Sequence, residues 1–160
     1  NKGPGEVAAK RPHTYQFCVW QAEKLNIPFR FPEHHPFMTV AAQRLLAQEN
    51  ADWKMVERAF DYVWIEGKDP NLSWPEFCIY LGLPSDTAKP ENPDTKAKLI
   101  SNTNAAKTAG AFGVPALIVD QHCFWGLDTI DWVCDYLARP TMFTEPTYRN
   151  AANIPNGLAP

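Results

Sequence analysis

The chain has 160 residues, 45% of them hydrophobic and 21% charged, enough apolar content for a folded domain that buries most of its unfolded surface. A net charge of −3 leaves no basic stripe to displace counterions from phosphates, so no nucleic-acid partner is expected. No apolar run approaches the ~20 residues that a bilayer needs and no secretory signal opens the chain, so no membrane partner is expected.

Residues 1–10 carry Gly3, Pro4, Gly5 and charges, and read as a loop. Tyr15, Cys18, Ala22 and Leu25 then recur at helical spacing and predict a helix over 12–25, ended by Asn26-Ile27-Pro28. Phe29 to Pro36 reads as an extended linker. Thr39 is the expected N-cap of a second helix reaching Asn50, and Asp52 that of a third. In the third, Trp53, Val56, Phe60, Val63 and Trp64 form a stripe that reads as core, and Gly67 ends it. Ser73 starts a short helix with Pro75 in its first turn. A proline-broken loop over 83–93 leads to a more polar helix over 94–109, stopped by Gly110.

Ala116 to Val119 is apolar on both faces, the pattern of a strand in the middle of a sheet covered on both sides. Residues 122–125 are its expected hairpin partner. Asp128 is the expected cap of the last helix, with Asp131 completing a capping box and Ile130, Val133, Cys134 and Leu137 on its apolar face. From Arg139 onward prolines interrupt the pattern, and 140–160 reads as an extended surface tail. The expected organisation is a loop over 1–10, a mostly helical domain over 11–93, an α/β portion over 94–139, and the tail. A lone hairpin with a fully apolar strand is marginal, so its missing neighbours are expected from a segment upstream of Asn1.

Four cysteines, at 18, 78, 123 and 134, make neither Cys-x-x-Cys nor a zinc spacing. Cys18, Cys78 and Cys134 read as small buried hydrophobes, and this usage suits a reducing, cytoplasmic compartment. His34 and His35, with prolines on both sides and no third ligand, read as loop histidines; no metal is expected.

Four segments resemble one family. Asn1-Lys2-Gly3-Pro4-Gly5 with Lys10 is similar to the loop N-K/Q-P-P-x(5)-K. Asn26-Ile27-Pro28-Phe29-Arg30-Phe31-Pro32 is similar to G-I-P-F-R-F-P, and Tyr62 to Asp69 to Y-W-V-E-G-R-D. Asn102-Thr103, Gly110 to Pro115 and Phe124-Trp125-Gly126-Leu127-Asp128 resemble the C-terminal signature. The chain thus resembles 2-hydroxychromene-2-carboxylate isomerases and kappa-class glutathione transferases, the glutathione-dependent branch of the DsbA-like thioredoxin superfamily. The resemblance implies an α/β thioredoxin-like fold of the DsbA/kappa type with a helical insertion domain, its N-terminal strand-helix-strand unit missing from these residues. It also implies a homodimer, glutathione as cofactor and an aromatic-derived substrate.

Site residues follow from the same resemblance. It implies a cis bond at Val114-Pro115, whose freed backbone groups pair with glutathione as an extended peptide. Asp128 and Thr129 are expected at the γ-glutamyl end, with Thr129 standing where many members have Arg. Asn1 and Lys10 are expected to touch glutathione, Lys10 near the glycyl carboxylate. Phe112 and Trp125 are expected to wall a flat substrate. Met38 stands where isomerase-like members often have Asn, in the region bordering the substrate. The catalytic serine is expected upstream, with none in these residues. Glutathione-dependent isomerisation or transfer is therefore the first expectation. A DsbA-like dithiol oxidoreductase with its Cys-x-x-Cys upstream, or a non-catalytic binding domain, are the alternatives.

Overall fold

The computed structural model describes residues 7–157. Seven helices and two strands are described: α1 (Arg11–Leu25), α2 (Val40–Gln48), α3 (Trp53–Trp64), α4 (Trp74–Leu81), α5 (Pro93–Thr108), β1 (Ala116–Val119), β2 (His122–Trp125), α6 (Ile130–Ala138) and α7 (Pro146–Ala152). They divide into two compact units, residues 1–101 and 102–160. Asn1 lies outside the described residues.

In the first, helical unit, the core is Leu45 of α2, Ala59 and Tyr62 of α3, and Trp74, Phe77, Cys78 and Leu81 of α4. Three helix ends are closed by side chains. Asp52 accepts from the Met55 N–H at 2.8 Å at the start of α3, and Asn92 accepts from the Thr95 N–H at 2.8 Å at the start of α5. Arg58 donates to the last-turn carbonyl of Leu81 at 3.2 Å. The start of α5 is fastened to the end of α2: buried Thr95 donates to Gln48 at 3.2 Å, and Lys98 to Asn50 at 2.5 Å.

The sequence pattern misassigns the core face of α3. Ala59 and Tyr62 are buried, whereas Trp53, expected in the core, is 79% exposed and Phe60 61% exposed. The helix is apolar around more than half its circumference. The α4 side chains fill only one of its two apolar faces, and the Phe60–Trp64 stripe lies on the other. Cys78 is buried as expected, Cys18 is half-buried, and Cys134 is exposed, because only Val133 and Tyr136 of α6 turn inward.

Two segments that are distant in sequence lock together in this unit. The Arg30 N–H donates to the Trp64 carbonyl at 2.6 Å, and Trp64 stacks on Phe29 at 5.7 Å with an 8° interplanar angle. Gly67, at φ +69°, lies under Arg30: a Cβ there would stand 2.6 Å from Arg30 Cδ and 3.0 Å from the Phe31 carbonyl.

In the second, hairpin unit, β1 and β2 pair antiparallel with Ala116 opposite Trp125 and Val119 opposite His122. Both strands have the expected bounds. The expectation that β1 is covered on both sides fails among the described residues: Leu117 is 45% exposed and Ile118 39% exposed, because the sheet has two strands and β1 has one neighbour. The core is Phe124, Val133, Tyr136 and Met142, with Phe143 and Tyr148 packed against it. The segment expected as an extended tail therefore belongs to this core. Met142 is fully buried, Phe143 stacks on Tyr136 at 5.2 Å, and Pro146 opens α7. Proline in a first turn starts a helix as readily as proline elsewhere stops one.

Candidate functional site

The turn region of the hairpin unit gathers six of the expected site residues around Gly126. The Gly126 N–H donates to the Pro115 carbonyl at 3.0 Å, joining the Val114-Pro115 entry of β1 to the turn after β2. Val114-Pro115 is cis, as expected. Val114 is 88% exposed, and among the described residues neither its N–H nor its carbonyl has a hydrogen-bond partner. Phe112 and Trp125 bring their rings to 5.7 Å at 58°, both exposed. The Trp125 indole lies over Gly113, with Cδ1 and Cε2 each 3.0 Å from where a Cβ would stand.

Asp128 does not cap the last helix. Residues 127–129 form a single 3-10 turn, and Thr129 is the N-cap residue of α6. The Thr129 hydroxyl donates to the Gly126 carbonyl at 2.8 Å, so that oxygen is already engaged within the turn. The Asp128 carboxylate, released from capping, folds back against the bare side of Gly126. It is exposed, and among the described residues it has no hydrogen-bond or ion-pair partner. The arrangement can accept a cation at Asp128 and pair an extended backbone at Val114.

The other expected residues belong to the helical unit. Lys10 is the exposed N-cap residue of α1 and makes no side-chain cap. Met38 is exposed, its carbonyl accepting from Asn71 Nδ2 at 2.8 Å, and it lines neither of the two hollows described below.

The helical unit holds what the sequence did not point to: an apolar hollow of about 610 Å³ between α1, residues 27–35 and α3, walled by Tyr15, Phe29, Phe31, Phe60 and Trp64. His35 sits between this hollow and a smaller one of about 190 Å³. The Tyr15 hydroxyl lies 2.6 Å from His35 Nδ1 and 3.0 Å from the His35 carbonyl. Burial, and then the Arg11 charge, push the His35 pKa below its ordinary value. Burial likewise pushes the Cys18 thiol up. The available signal was the surplus of apolar residues on α3, more than one packed face needs. Among the described residues no group of three or more His, Cys, Asp or Glu side chains could hold a metal, and no helix is long and apolar enough to cross a membrane.

Comparison with known proteins fits this architecture. The DSBA-like thioredoxin domain matches residues 1–138, and the chain belongs to that family. The solved structure of a selenomethionine 2-hydroxychromene-2-carboxylate isomerase (HCCA isomerase) is similar, with a TM-score of 0.61 and 19% sequence identity over 97% of this chain and 76% of that one. At that identity the likeness shows the fold: a DsbA-like thioredoxin fold, here mostly helical with a small antiparallel sheet. No curated protein sequence matches the chain.

Proposed function

We propose that this protein is a glutathione-dependent isomerase or transferase acting on an aromatic-derived substrate. The observation that carries the reading is the pair of unsatisfied groups on either side of Gly126: the exposed backbone of Val114 and the unpartnered carboxylate of Asp128. Glutathione fits such a pair, having an extended peptide with an ammonium at one end. The name of the structural neighbour, an HCCA isomerase, supports the same class.

Val114 is the residue that would hold the cysteinyl backbone of the tripeptide, donating its N–H and offering its carbonyl. Asp128 would take the γ-glutamyl ammonium, and the exposed start of α6 favours the carboxylate beside it. Glutathione, when bound, supplies a thiol nucleophile; the chain's part is to hold and orient it. Phe112 and Trp125 offer an aromatic flank to a flat substrate at the same turn.

Calorimetric titration with glutathione tests this. Binding in the millimolar range or tighter is expected, weakened about tenfold in Asp128→Ala, the loss of one charge-assisted contact. Absence of heat at millimolar glutathione, or unchanged affinity in Asp128→Ala, overturns the reading.

A further inference from the structure

We infer that the large hollow of the helical unit is a binding site for a planar aromatic molecule carrying a hydroxyl, held by that hydroxyl on His35 Nε2. This goes beyond the glutathione reading and does not rest on it, since every residue involved lies in the helical unit. Four observations carry it.

The first is size. About 610 Å³ lies within the ~300–1,000 Å³ of small-molecule pockets and suits a ring system of one or two fused rings. The second is the wall. Tyr15, Phe29, Phe31, Phe60 and Trp64 present rings rather than aliphatic chains, and several are already fixed: Tyr15 stacks on Phe31 at 4.5 Å, and Phe31 meets Trp64 edge-on at 5.8 Å. Preset rings recognise a flat ligand with little ordering cost.

The third is the polarity of His35. The Tyr15 hydroxyl has one proton, and the His35 carbonyl can only accept. Both Tyr15 contacts are hydrogen bonds at once only if the hydroxyl donates to the carbonyl and Nδ1–H donates to the hydroxyl. Nδ1 then carries a proton, and in the neutral ring, which burial and Arg11 favour, Nε2 is left as a bare acceptor. Among the described residues Nε2 has no hydrogen-bond partner. A free acceptor on a residue that lines an apolar hollow selects a donor on the ligand. The fourth is what surrounds it. Burial, and after it the Arg11 charge on α1, favour the neutral ring, and Asp61 on α3 is the acidic side chain on the hollow's lining. A neutral imidazole that donates through Nδ1 accepts from an alcohol or phenol through Nε2.

The test compares two probes that differ in the donor alone, 1-naphthol and 1-methoxynaphthalene, titrated calorimetrically into the full-length protein without glutathione. 1-Naphthol should bind about tenfold tighter, the worth of one buried hydrogen bond. His35→Phe should remove that gap while both probes still bind. Tyr15→Phe, which frees the tautomer, should narrow it. Phe60→Asp, at an exposed ring on the rim, should weaken both probes alike. The His35 Nε2 nitrogen resonance should move with 1-naphthol and stay with the ether. Equal affinities in the unaltered protein, no binding of either probe, or binding indifferent to Phe60→Asp would each overturn the assignment. Because no arm contains glutathione, its failure leaves the Asp128 titration to be judged separately.

Discussion

The two units treat equally apolar sequence in opposite ways. In the helical unit, Tyr62, Phe77, Cys78 and Leu81 are sealed by their immediate neighbours. In the hairpin unit the most apolar run of the chain, Ala116–Val119, remains half open. A helix satisfies its own backbone and needs only one packed face. A strand needs another strand on each side before its faces can be covered. The same hydrophobicity is sealed where α3 meets α4 and left open along β1.

The sharpest way to break the contrast is to empty each core. Phe77→Ala and Phe124→Ala should each cost about 3–5 kcal/mol in urea unfolding, since both rings are fully buried; a cost under 1 kcal/mol at either would mean that core is not formed. Gly67→Ala should cost about 1–3 kcal/mol by the same measurement, through its left-handed backbone and its overlap with Arg30. Asp52→Ala should cost about 1 kcal/mol by removing the cap of α3, with Asp52→Ser retaining most of the stability.

Acid should then act on the helical unit through His35. Its folded pKa is depressed, so the unfolded chain takes the proton first. The contribution is complete above the ordinary value of 6.5 and declines as pH falls from there through the lower folded value. Thermal melts between pH 8 and 5 should show this decline, and His35→Phe should flatten it. Arg11 on α1 opposes the incoming charge, and it is the charge that acts on the ring. The smallest effect is expected at β1: Leu117→Thr should change stability by no more than about 0.5 kcal/mol, because that side chain is half exposed. A cost above 2 kcal/mol would show that something beyond the described residues covers this face.

What the sequence disclosed follows the same division. Both strands and the Asp52 cap were legible because alternation, turn residues and caps act over a few residues. The cis bond and the Gly126 turn were legible through a family motif rather than through any physical pattern. Three features were hidden. The start of α6 was misplaced by one residue because Asp128 looks like a cap, while the structure uses Thr129 and bends the carboxylate toward Gly126. The tail looked extended because its prolines mask Met142, Phe143 and Tyr148, whose partners lie upstream in the chain. The hollow was invisible because periodicity shows that α3 has apolar residues over more than half its circumference, and cannot show which part of that arc its neighbours leave empty.

The indole of Trp125 resting on Gly113 has an evolutionary corollary. No lineage can place a side chain at 113 and keep that ring where it is, so the two positions are bound to change together or not at all. Homologues that carry alanine or serine at the first should have exchanged tryptophan for a smaller residue at the second.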